Sequence, residues 1–129
     1  MSQEIQFNVM LPNKPGALAH LCQKLAATDV NLRAISVVET SEQAVVRMVA
    51  QSADLARKVL TEEGAPFSES EVLVVVMPDK AGALGEAAGR LAKAKININY
   101  VYSGVGSGKG RAAVVFAVSD IARAREALK

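Results

Sequence analysis

Pro12-Asn13-Lys14-Pro15-Gly16-Ala17-Leu18 returns later in the chain as Pro78-Asp79-Lys80-Ala81-Gly82-Ala83-Leu84, 66 residues on. The same interval aligns Leu25 with Leu91, Ala26 with Ala92, Asn31 with Asn97 and Val49 with Val115. Further along it aligns Asp54 with Asp120, Ala56 with Ala122 and Arg57 with Arg123. An ungapped match over so much of a copy marks a tandem duplication. The two copies divide the chain into domains 1–71 and 72–129.

Around the first motif, Ile5, Phe7 and Val9 alternate as in a half-buried strand. Pro15 suits the first position of a helix, where its missing N–H costs nothing. Leu18, Leu21, Cys22 and Leu25 then repeat at helical spacing, predicting a helix to about Thr28. Val30 to Glu39 and Gln43 to Ala50 read as two strands joined by a turn over Thr40 to Glu42. Leu55, Ala56, Val59 and Leu60 mark a second helix stopped by Gly64, and Phe67 to Glu71 a short last strand. The order is βαββαβ. The second copy repeats it from Val72: a strand to Met77, a helix from about Ala81 to Ala94, strands Ile96–Ser103 and Arg111–Val118, and a helix capped by Asp120.

The chain stops at Lys129, so the second copy has no final strand. The fold expected is α+β: two ferredoxin-like repeats, each an antiparallel sheet with helices on one face. The apolar run Val72–Met77 then has an open edge, which a strand from the first copy or from a second subunit is expected to cover.

Composition narrows the function. Half of the 129 residues are hydrophobic and 22% are charged, as in a soluble globular protein. A net charge of +2 argues against nucleic acid. No apolar run approaches a membrane span, and Met1–Gln6 does not read as a signal peptide, so a cytoplasmic protein is expected. The single cysteine, Cys22, excludes an intramolecular disulfide and a cysteine-based zinc site.

No catalytic constellation emerges. His20, the only histidine, lies two positions from Cys22, and such residues do not face each other on a helix. Glu62, Glu63, Glu69 and Glu71 read as a solvated loop. Gly104, Gly106, Gly108 and Gly110 surround Ser107 and Lys109, but no Ser or Thr follows the lysine and a strand comes next, so a hairpin explains them better than a phosphate loop. Lys109 to Phe116 has the frame of an RNA-binding strand but places Arg111 and Ala113 where the stacking aromatics belong. Neither an enzyme nor a cofactor is expected.

What remains is the pair of turns. A helix start offers free N–H groups to an anion, and Gly16 and Gly82 remove a Cβ from that backbone. Asn13 and Asn31 supply amides that suit a zwitterion. The same residues could equally just build a strand-to-helix turn and start a strand.

Asn-x-Pro-Gly-x-Leu, an amphipathic helix, then Val-Asn-Leu entering a strand resembles the ACT domain, a small-molecule-binding regulatory module of amino-acid metabolism. Asn13, Pro15, Gly16, Leu18 and Asn31 fit that pattern in the first copy, and Asp79, Gly82, Leu84 and Asn97 in the second. The resemblance implies a free amino acid bound where two ACT domains meet, with Asn13, Gly16 and Asn31 around it and the amides of Ala17 and Leu18 near its carboxylate. Ala83 and Leu84 hold the equivalent places in the second copy, which departs from the pattern at Asp79 and Ala81. Tyr100 and Tyr102 either shape a side-chain pocket or fill a domain interface. The resemblance implies a stand-alone amino-acid sensor, a homodimer, that modulates its own assembly or an enzyme of amino-acid metabolism. A structural module that pairs subunits without a ligand is the alternative.

Overall fold

The mostly apolar segments Gln43–Ala50 and Arg111–Val118 are largely buried strands in the computed structural model, which describes residues 1–105 and 108–129. The elements are β1 (Ser2–Pro12), α1 (Ala17–Ala27), β2 (Leu32–Thr40), β3 (Gln43–Ala50), α2 (Ala53–Glu63), β4 (Phe67–Pro78), α3 (Ala83–Lys93), β5 (Ile98–Gly104), β6 (Arg111–Val118) and α4 (Ile121–Ala127). This is the α+β architecture that the duplicated βαββαβ pattern predicts. Among the described residues no helix is long and apolar enough to cross a membrane.

The chain divides into two compact units, Ile5–Ser70 and Met1–Glu4 with Glu71–Lys129. In the first unit the strand order is β2-β3-β1-β4. Antiparallel pairing sets Phe7, Val9 and Leu11 against Met48, Val46 and Ala44. These residues face the helices and are buried with Leu21, Leu25, Ala56 and Leu60. Phe67 closes this core edge-on to Phe7, with ring centroids 5.9 Å apart. Only Leu21 and Leu25 of the α1 stripe are fully buried; Cys22 is half-buried and Leu18 is 39% exposed.

In the second unit the order is β1-β4-β6-β5, with Leu73, Met77, Leu91, Ile96, Val114, Phe116 and Ala124 as its core. The edge of Val72–Met77 has β1 as its neighbour. The first residues of β1 stand where this copy has no final strand of its own. Arg125 Nη1 donates to Gln3 Oε1 at 3.2 Å and fastens that segment to α4.

Three details differ from the sequence reading. First, β1 starts at Ser2 rather than Ile5, because polar residues can pair as strand without being apolar. Second, Phe67–Glu71 and Val72–Met77 form one twelve-residue strand, since nothing between them breaks the backbone. Third, Pro15 precedes the helix. Gly16 is its N-cap, at φ 90°, and Gly82 holds the same place before α3 at φ 92°. Neither cap has a side-chain hydrogen bond, whereas Ser52 and Asp120 accept from Leu55 N and Arg123 N at the starts of α2 and α4.

Two of the four glutamates read as a solvated loop are paired. Glu63 Oε1 lies 2.7 Å from His20 Nε2. Glu69 lies on β4 and takes both Arg57 Nε and Nη2, at 2.8 and 2.7 Å. Arg57 also donates to Asp54 at 3.0 Å and lies over the Phe7 ring. The hydrogen bond from Arg57 holds the Glu69 carboxyl below the usual carboxylate range.

Candidate functional site

The strand-to-helix turn of the first copy is built from backbone. Asn13 N donates to Glu42 O at 3.0 Å, Lys14 N to Pro12 O at 3.0 Å, and Ala17 N to Lys14 O at 3.4 Å. His20 N reaches Gly16 O at 2.9 Å, which begins the helical ladder. Among the described residues no partner takes the N–H of Leu18 or Ala19. These are the open donors that a helix start leaves over, at the positive end of its dipole.

The same turn recurs in the second copy. Asp79 N donates to Gly110 O at 2.8 Å, Lys80 N to Pro78 O at 3.0 Å and Ala83 N to Lys80 O at 3.3 Å. Glu86 N reaches Gly82 O at 2.9 Å. A Cβ on Gly16 or Gly82 would meet no protein atom within 4 Å. The positive φ therefore accounts for glycine at both places, and crowding does not.

A cleft of about 100 Å³ opens beside the first turn, lined by Leu11, Pro12, Asn13, Lys14, Ala17, Leu18, Val37, Ala44 and Val46. At this turn Asn13 Nδ2 donates to Glu39 Oε2 at 3.1 Å. Of the residues singled out in the sequence, the structure thus brings Asn13, Ala17 and Leu18 to one cleft, with Pro15 and Gly16 in the turn that shapes it.

Asn31 lies beyond the far end of α1. Eleven residues at 1.5 Å each put about 16 Å of helix between it and Gly16. Its carbonyl accepts from Gln51 N at 2.8 Å, and its side chain is exposed. Asn97 is likewise apart from Gly82. Its N–H donates to Ser119 Oγ at 3.1 Å, and its Nδ2 donates to Asn99 Oδ1 at 3.0 Å. Within either unit, then, the turn and the second asparagine do not converge.

Glu39, Val37, Ala44 and Val46 were not singled out in the sequence. The signal for them is the β2–β3 hairpin, whose pairing sets Glu39 opposite Ala44 and Val37 opposite Val46. Those strands deliver the four residues beside Asn13. Tyr100 and Tyr102 stack at 6.5 Å on β5, opposite Ala117 and Val115. These partners alternate with Val114 and Phe116 of the core, so the tyrosines lie on the sheet face away from α3 and its glycine turn.

Of the glycine-rich segment, Gly106 and Ser107 lie outside the described residues; Gly108 and Gly110 have positive φ and lead into β6 rather than a helix. Phe116 is fully buried in the core, so it offers no base-stacking surface. Among the described residues no group of three or more His, Cys, Asp or Glu could hold a metal ion.

The family model described as the ACT domain pair matches residues 3–129. The chain belongs to the ACT family. Its ACT pair is similar to the crystal structure of protein BT0572 from Bacteroides thetaiotaomicron, at 27% identity and a TM-score of 0.89 over 98% of this chain and 86% of that one. It is similar in fold to the ligand-free regulatory subunit of aspartate kinase from Thermus thermophilus, at 17% identity and a TM-score of 0.68, covering 99% of this chain and 93% of that one. The regulatory subunit of aspartate kinase from Thermus flavus gives 17% identity and a TM-score of 0.63 over 99% of this chain and 89% of that one. No curated sequence matches the chain.

Proposed function

We propose that this ACT pair senses a free amino acid and passes the signal on through its own assembly or through an enzyme of amino-acid metabolism, in the cytoplasm. The observation that carries the reading is the first turn, where Leu18, whose N–H has no partner, and Asn13 line one cleft. Those donors suit a carboxylate, and the carboxylate of Glu39, bonded to Asn13, suits an ammonium group. A ligand shifts assembly only through different affinities for two states. The exposed Ile35, Val37 and Val38 of β2 offer a second copy of this chain a surface to pair with, which makes a homodimer the assembly to test.

A thermal-shift panel of the twenty amino acids at millimolar concentration, on the wild type, Asn13→Ala and Asn31→Ala, tests the reading. A selective rise in melting temperature, weakened in the variants, is expected. At 100 times Kd the stabilisation is about 2.7 kcal/mol. The second reading, a pairing module without ligand, has one observation in its favour: Glu39 already occupies the Asn13 amide. A flat panel on the folded protein would establish that reading instead.

A further inference from the structure

The duplication supplies an internal comparison on the helix side of each sheet. In the first copy the chain leaves α2 through Gly64 and lies along the end of β1. Met10 N donates to Pro66 O at 2.9 Å, and Ala65 and Phe67 pack onto the core. Val9 of that core is fully buried. At the 66-residue interval Val9, Met10, Leu11 and His20 correspond to Val75, Val76, Met77 and Glu86.

Among the described residues none takes the place of Ala65 and Pro66 in the second unit, and Val75 is only half-buried. No bond corresponding to that of Met10 holds Val76 there. A groove of about 290 Å³ opens instead, lined by Val75 and Met77 of β4, Ala83 and Ala87 of α3, and Leu128. None of Met1–Glu4 lines it.

The charges at the groove favour one kind of occupant. In the first copy Glu63, just ahead of the covering segment, meets His20 at 2.7 Å. In the second copy Glu86 holds the place of His20, and its carboxylate is taken by Arg90 Nη2 at 3.4 Å. Lys80 lines the same groove. Two cations and one carboxylate leave positive charge beside an apolar surface, which suits an acidic residue followed by small apolar ones.

We infer that this groove receives an extended segment of another protein, acidic at its start and apolar after it, laid along β4 as residues 64–66 are laid along β1. A carbonyl of the segment accepts from Val76 N–H, its apolar side chains cover Val75 and Met77, and its carboxylate meets Lys80. This interaction is separate from amino-acid sensing and does not depend on it.

The first copy also supplies the probe: a synthetic peptide with the sequence of residues 62–68, Glu-Glu-Gly-Ala-Pro-Phe-Ser. It is added, up to millimolar concentration, to the isotope-labelled full chain, and amide chemical shifts are followed. Shifts confined to residues 75–78, α3 and Leu128 are expected. A peptide with Gln for both Glu should bind about threefold more weakly, and so should the original peptide to Lys80→Glu, a change of one exposed side chain. No shift at millimolar peptide would overturn the proposal. Shifts at residues 9–12 and α1 instead would show the peptide displacing the first copy's own segment, and equal binding of both peptides would remove the role of charge; either result refutes it. Movement of the same second-unit residues with chain concentration alone would make a second copy the occupant and overturn it too.

Discussion

Glycine does opposite things at two positions of α3, and the difference can be measured within one helix. Gly82 caps the helix at φ 92°, while Gly89 lies inside it with ordinary φ; an added Cβ meets nothing within 4 Å at either site. Substitution by alanine is therefore free of clash in both cases, and only backbone preference remains. At Gly82, alanine carries the left-handed penalty of about 1–2 kcal/mol. The reduced freedom of the unfolded chain returns about 0.4–1 kcal/mol of that. The net loss is about 1 kcal/mol. At Gly89 alanine gains the helix propensity that glycine lacks, about 0.8–1 kcal/mol. The two variants should thus differ by roughly 2 kcal/mol, or about 6–8 °C in melting temperature for a chain of this length. Thermal unfolding followed by circular dichroism reads that gap directly. If Gly82→Ala melts at or above the wild-type temperature, the positive φ is not what demands glycine there, and the account of both turns fails with it.

Two further outcomes follow from contacts within single units. The Glu69 carboxyl is held below its ordinary pKa by Arg57, so its contribution to stability is complete above the unfolded value of about 4.3 and is lost as pH falls through the lower folded value. Melting curves of Glu69→Gln between pH 6 and pH 2.5 should fall less steeply than those of the wild type; parallel curves would show that the pair adds nothing. Deleting Ser2–Glu4 should uncover the β4 edge of the second unit, and size-exclusion chromatography over a concentration series should then show larger assemblies than the intact chain forms. An unchanged elution profile would mean that this edge needs no cover.

Much of this fold was written locally. The repeated turn, the strands Gln43–Ala50 and Arg111–Val118, and the stop at Gly64 each depend on near neighbours in sequence, and the structure has them where the pattern puts them. The continuity of β4 was not legible, because a strand ends where its pairing ends, and pairing is decided by residues far away. Pro15 misled for a related reason: proline and a left-handed glycine both suit a helix entrance, and the φ of Gly16 decides which residue makes the turn. Around the first turn, the motif named Asn13, Ala17 and Leu18 but not Val37 or Glu39, which reach the cleft only through the register of the β2–β3 hairpin.

The bond between Gln3 and Arg125 also sets an order of events during synthesis. The unit Ile5–Ser70 has all of its strands once β4 begins to emerge from the ribosome, so it can close early. Gln3 is made 122 residues before its partner on α4. Contacts so distant in sequence form slowly, since the loop must be closed before they contribute. A translating chain therefore carries Gln3 without this partner until α4 has been made. A transcript cut short before α4 would yield one finished unit and a Gln3 side chain without its arginine.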